Sequence, residues 1–232
     1  MEISHIDTPY LSLSDWVNPC FKFKSDYPTS MWNDAIVCEK WIDSSLLYPT
    51  RLAEYMAGRY CAISALKQID LKITTINKLR SGAPEWPPGV VGSITHRNRY
   101  VAAAISGLDK IIGIGIDVEV SDMDRPIYGG VILSAEEKLI ADKLCSIYDD
   151  IDVYTLIFSA KESLFKAVSS TLRDRITLLD CRVIPRVNGD IVGYLSKGNS
   201  IFKFEEKIIG RWGVDWNPSG VNFVRTAFVV SS

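Results

Sequence analysis

Two acids stand two positions apart in the run Ile112-Gly113-Ile114-Gly115-Ile116-Asp117-Val118-Glu119. If that run is a strand, side chains alternate and Asp117 and Glu119 leave the same face. Acids that close repel unless water or a cation sits between them. A third acid, Glu162, lies in Phe158-Ser159-Ala160-Lys161-Glu162-Ser163-Leu164-Phe165-Lys166. On a helix Glu162 and Lys166 are one turn apart and share a face. Any metal here would be a hard, oxygen-loving cation held by such acids. Each feature also has an ordinary reading. The strand pair is inert on a solvated face, and a surface Glu–Lys pair contributes only a few tenths of a kcal/mol. His96, closing Ser93-Ile94-Thr95-His96, is by default a hydrogen-bonded structural histidine, and Arg51 and Arg59 are by default solvated helix arginines.

The elements that must position these residues are legible in outline. A helix is expected from about Pro49 to Leu66, with Leu52, Tyr55, Met56, Ile63 and Leu66 as its buried stripe. Val90–Thr95 and Tyr100–Ser106 are expected as short strands around a tight turn at Arg97-Asn98, and residues 111–120 as the best strand of the chain. Along that strand Ile114, Ile116, Val118 and Val120 face one side, and Gly115, Asp117 and Glu119 the other. Ser134-Ala135-Glu136-Glu137 is a capping-box pattern opening a helix to about Cys145. A further helix is expected from about Asp152 to Ser169, which puts Ser159 in mid-helix rather than at a cap. Strands are expected near residues 176–184, 191–196, 201–204, 208–215 and 221–230, and only short strands and loops in the first forty-odd residues. Without a strict βαβα alternation the fold class is α+β.

Composition narrows the function classes. The 232 residues are 47% hydrophobic and 23% charged, which is too apolar for disorder. A formal net charge of −2 does not suit a nucleic-acid binder. Five scattered cysteines without a C-x-x-C pair, and two histidines, support neither a disulfide framework nor a zinc site. The start reads as neither a signal peptide nor a membrane span, so the expected compartment is the cytoplasm.

Taken in order, four blocks resemble the 4'-phosphopantetheinyl transferases of the surfactin-synthetase type, in the branch of enterobactin synthetase component D. They are Arg51-Leu52-Ala53-Glu54-Tyr55-Met56-Ala57-Gly58-Arg59, Trp86-Pro87-Pro88-Gly89-Val90-Val91-Gly92-Ser93-Ile94-Thr95-His96, the Asp117/Glu119 run and the Glu162/Lys166 run. The resemblance implies a pseudo-dimer of two similar α+β halves, 1–119 and 120–232. It implies transfer of the phosphopantetheine arm of coenzyme A to a serine of an apo carrier protein, with release of 3',5'-ADP. Asp117, Glu119 and Glu162 would be magnesium ligands, with manganese an acceptable substitute. Glu162, Lys166 and Lys161 would serve the chemistry, and Arg51, Arg59, Thr95 and His96 would bind coenzyme A. The carrier would belong to nonribosomal peptide siderophore synthesis, the enzyme would be a monomer, and Arg173 and Arg175 would help dock the carrier. Two departures stand out: Thr95 where the pattern often has serine, and Phe158 where it often has tryptophan. A hydrolase of pyrophosphate compounds and a catalytically silent binding module are the rival readings.

Overall fold

The strand that carries Asp117 and Glu119 runs from Ile111 to Ser121 and forms one margin of a five-stranded antiparallel sheet. The computed structural model describes residues 4–5, 21–22, 49–67, 69–97, 100–122, 132–172, 176–196, 206–215 and 222–232. Within them the order is β1 (Ser4–His5), β2 (Phe21–Lys22), α1 (Pro49–Lys67), β3 (Val91–Arg97), β4 (Tyr100–Ser106) and β5 (Ile111–Ser121). Then follow α2 (Ala135–Cys145), α3 (Val153–Leu172), a 3-10 turn (Leu178–Asp180), β6 (Cys181–Pro185), β7 (Asp190–Leu195), β8 (Ile208–Asp215) and β9 (Asn222–Ser231). The strands form a β1–β2 pair, a β3–β4 hairpin and a sheet of order β5-β9-β8-β7-β6. This is an α+β fold. The expected strand at residues 201–204, Arg51's side chain, and Arg173 and Arg175 lie outside the described residues.

The larger core lies between α3 and the five-stranded sheet. Leu156, Ile157, Ala160, Leu164, Ala167 and Val168 of α3 are buried there against Val183, Ile191, Val224 and Phe228. Each large side chain of that set contributes about 1.5–3 kcal/mol on burial. Asp152 starts α3 by accepting hydrogen bonds from the backbone N–H groups of Tyr154 and Thr155. Its own N–H donates to Ser121 Oγ at 2.9 Å, tying the helix start to the end of β5. Ser159 is in mid-helix, as its spacing requires.

A smaller core lies under α1. Its buried face consists of Cys61, Ala62, Ala65 and Leu66, against Val101, Ala103 and Ile105 of β4. Of the expected stripe, Leu66 is fully buried and Ile63 packs partly buried against this core; Tyr55 is partly buried, and the side chains of Leu52 and Met56 lie outside the described residues. Small residues at Gly58, Cys61, Ala62 and Ala65 let the helix lie close to the hairpin. A Cβ on Gly58 would lie 2.8 Å from Ile94 Cγ2. The hairpin also differs from expectation. Arg97 is paired with Tyr100 as the last residue of β3, so it belongs to the strand and not to the turn.

The boundary expected at Glu119 runs through β5, whose ladder partner is β9 of the C-terminal sheet. The other edge of β5 meets β3 through hydroxyl groups rather than a backbone ladder. Ser93 Oγ accepts the Ile116 N–H at 3.1 Å, and Thr95 Oγ1 accepts the Val118 N–H at 3.1 Å. A row of main-chain donors that would otherwise be orphaned in the interior is thereby satisfied.

Candidate active site

Glycine makes the site possible. Gly113, Gly115, Asp117 and Glu119 share one face of β5, and that face meets α3. A Cβ on Gly115 would lie 1.8 Å from Ser163 O, and one on Gly113 would lie 1.9 Å from Ala167 O. Those separations are far inside van der Waals contact, so only glycine lets the helix backbone lie on the strand. The close approach brings Ser159 and Lys166, on one face of α3, to the strand carboxylate. Lys166 Nζ donates to Asp117 Oδ1 at 2.6 Å, and also to the Ile116 carbonyl at 3.3 Å. Ser159 Oγ donates to Asp117 Oδ2 at 2.9 Å. From β3, Thr95 Oγ1 donates to Asp117 Oδ1 at 3.2 Å. Asp117 is buried, yet both carboxylate oxygens are hydrogen-bonded, which is the condition for keeping a charge inside a protein. Behind it Thr226 of β9 donates to the Ser159 carbonyl at 2.8 Å and lies 2.9 Å from Ser163 Oγ, bracing the helix against the sheet.

Glu119 is held less firmly. Its Oε2 lies 3.1 Å from Arg97 Nε, but neither atom has a hydrogen-bond partner. The contact is a charge approach without directional bonding. Burial, reinforced by Asp117, pushes the Glu119 carboxyl up to about 7, against the opposing pull of Arg97 and Lys166. Glu162 is also raised, first by burial; Lys166 draws it down and Asp117 adds to the rise. Burial is the largest cause of both shifts, and three acids, Asp117, Glu119 and Glu162, act on this face against the two bases Arg97 and Lys166. Among the described residues no three His, Cys, Asp or Glu groups are gathered as a ready metal-ligand set. Asp117 has its oxygens engaged by Lys166, Thr95 and Ser159. The donor chemistry nevertheless fits a hard cation: carboxylate oxygens only, an excess of negative charge, and a buried Glu119 Oε2 with no hydrogen bond.

The other expected site residues lie on different sides of the seam. His96 points from β3 toward α1, where its Nδ1 is 3.3 Å from Glu54 Oε2. Arg59 donates from Nε to the Ile76 carbonyl at 3.1 Å and lies over the Tyr55 ring at 4.5 Å. Burial lowers its pKa. Those contacts tie α1 to the segment before β3. Lys161 is turned away from the carboxylates. It is 2% exposed, and its Nζ donates to both oxygens of the fully buried Glu137, at 3.0 and 2.8 Å. One residue further along a helix is a turn of about 100°, so Lys161 and Glu162 cannot serve one face. In this structure Lys161 is bonded to Glu137 rather than to the acids of β5.

Sequence reasoning missed Ser159 as a partner of Asp117, Arg97 as a partner of Glu119, and Glu137 as a partner of Lys161. The first was within reach. Ser159 and Lys166 are seven apart, so a helix that points one at Asp117 points both. Arg97 is two residues from Thr95 on the same strand face, but assigning it to the turn hid that relation.

Known proteins match this chain on both sides of the seam. Residues 45–106 match the 4'-phosphopantetheinyl transferase N-terminal domain, and residues 113–213 match the 4'-phosphopantetheinyl transferase superfamily. The 4'-phosphopantetheinyl transferase Svp of Streptomyces mobaraensis is 38% identical over 123 residues, covering 51% of this chain and 48% of the relative. The 4'-phosphopantetheinyl transferase PptT of Mycobacterium tuberculosis is 33% identical over 118 residues, covering 50% of this chain and 51% of the relative. The chain thus spans about half the length of these two relatives. Enterobactin synthase component D of Escherichia coli is 32% identical over 167 residues, 68% of this chain and 75% of the relative. The chain belongs to the 4'-phosphopantetheinyl transferase family, in the branch of enterobactin synthase component D.

Proposed function

We propose that this protein transfers the 4'-phosphopantetheine arm of coenzyme A to a serine of an apo carrier protein, releasing 3',5'-ADP. The observation that carries the reading is the convergence of α3 on β5: Lys166 bonded to Asp117 at 2.6 Å, with Glu119 on the same strand face and under-neutralised. Membership of the family and the names of the relatives support it. The carrier is proposed to be one of nonribosomal peptide siderophore synthesis, in keeping with the component D relatives.

Asp117, Glu119 and Glu162 would hold magnesium, or manganese in its place. When bound, the cation would neutralise charge on the pyrophosphate oxygens and lower the barrier to displacement at phosphorus. The chain's own residues do the rest. Lys166, half-exposed at the seam, supplies a positive charge to phosphate oxygens in the transition state. Glu162, whose carboxyl is raised by burial, is suited to taking the proton of the attacking serine. Thr95 and Ser159 fix the orientation of Asp117. Arg51, Arg59 and His96 would hold the nucleotide end of coenzyme A along α1 and the end of β3. Two halves that meet near β5, a monomeric state and a cytoplasmic location complete the reading. Among the described residues no helix is long and apolar enough to cross a membrane.

The test is intact-mass measurement of an apo carrier domain incubated with coenzyme A, magnesium and the protein. A carrier that gains the phosphopantetheine mass is the expected result. Cleavage of coenzyme A with no gain on the carrier would favour a hydrolase instead.

A further inference from the structure

The two basic residues that face the acids of β5 are bound to them in different ways. Lys166 makes a directional hydrogen bond to Asp117. Arg97 approaches Glu119 to 3.1 Å while neither atom has a hydrogen-bond partner. Arg97 is also 37% exposed, against 13% for Glu119, and it stands at the end of β3 rather than in a packed interior. Its Nε is buried beside Glu119, but the side chain as a whole reaches solvent, and leaving Glu119 breaks no hydrogen bond to it. A cation arriving at Glu119 would meet this positive charge first.

We infer that Arg97 is a displaceable counter-ion of Glu119, occupying the charge position that a divalent cation takes and competing with it for that carboxylate. The inference rests on the transferase reading above, in which Glu119 is a metal ligand. It makes Arg97 a residue that sets metal affinity from outside the ligand set. Without it, the negative face of β5 takes up a cation more readily before any substrate binds.

Manganese binding, followed by paramagnetic resonance of the free ion in the absence of coenzyme A, tests this directly on the full chain. Arg97→Gln should bind manganese roughly threefold to tenfold more tightly than wild type, the range expected for removing one partly exposed competing charge. Arg97→Lys, which keeps the charge on a flexible stem, should lie between them. In a Glu119→Gln background the same Arg97→Gln change should have no effect, because the coupling is to that carboxylate. Thermal melting of each variant checks that the fold is intact. Equal or weaker manganese binding by Arg97→Gln, in a protein whose wild type still modifies a carrier, overturns the inference and leaves the transferase reading standing. An Arg97 effect that survives in Glu119→Gln also overturns it. Failure of wild type and Arg97→Gln alike to bind manganese overturns it too, and a carrier that then gains no mass removes the transferase reading as well.

Discussion

Helix α3 carries two lysines that each face a carboxylate, and the two pairs are built on opposite principles. Lys161 and Glu137 are 2% and 0% exposed. Glu137 accepts two bonds from Lys161 and one each from the backbone N–H groups of Ser134 and Val183, so it joins the cap of α2 to β6. Lys166 and Asp117 are 28% and 6% exposed, at the seam between sheets. The first pair is saturated and sealed, and any exchange of partner would leave a bare charge in the core. The second opens to solvent on its lysine side and can change partners. In the proposed reading, accessibility of the cation, more than the presence of an ion pair, separates Lys166 from Lys161.

Breaking the sealed pair should have the largest effect. Lys161→Met strands the Glu137 charge and should cost about 3–5 kcal/mol in urea denaturation, whereas Lys161→Met with Glu137→Met should recover most of that. A single variant as stable as wild type would erase the contrast. Lys166→Met should do the reverse. It should lower kcat/KM for transfer about 100-fold or more while stability falls by only about 1 kcal/mol, read from steady-state kinetics beside the same denaturation assay.

Next in size is Gly115→Ala. The added Cβ overlaps the Ser163 carbonyl, and overpacking of this kind costs about 1–3 kcal/mol. Transfer should fall as well, since α3 must lift from β5 and take Lys166 with it. The smallest effect concerns Glu119. Its folded pKa of about 7 lies above the usual carboxylate value, so the folded state holds the proton more tightly than the unfolded chain. Metal-free stability should therefore decline as pH rises from about 4.5 to 7 and level off above. Glu119→Gln should remove part of that decline, making the variant more stable at pH 8 by about 1 kcal/mol and equal to wild type at pH 4, as chemical denaturation in chelator would show. Identical pH profiles for the two proteins would mean that Glu119 is already neutralised.

Periodicity carried the reading of β5. The alternation of Gly115, Asp117 and Glu119 against Ile114, Ile116 and Val118 survives in the structure because a strand fixes side-chain direction every second residue. The cap at Ser134 and Glu137 was legible for a similar local reason, and the structure forms both of its reciprocal bonds. What the pattern could not reveal is that Glu137 has a second partner 24 residues along, because a cap is normally a surface feature. On α1 the expected stripe reached Leu66 and Ile63 but missed Cys61, Ala62 and Ala65, since the closeness of a helix to a sheet is a tertiary distance with no signature in helical spacing. Arg97 was lost because the expected strand ended two residues early, at Thr95. Of the acids, Asp117 and Glu119 were found as a pair by spacing alone; that one is fully engaged and the other loosely held depends on residues from three separate elements.

The hydroxyl stitching between β3 and β5 also bears on how the chain behaves at high concentration. β5 is eleven residues long, rich in isoleucine and valine, and outermost in its sheet. Such a margin, left open, is a template on which another molecule can add a strand. Ser93 and Thr95 occupy the Ile116 and Val118 donors without forming a ladder, so the hairpin acts as a shield against self-association. Removing both hydroxyls would leave the Ile116 and Val118 donors without these partners and open that border to another strand.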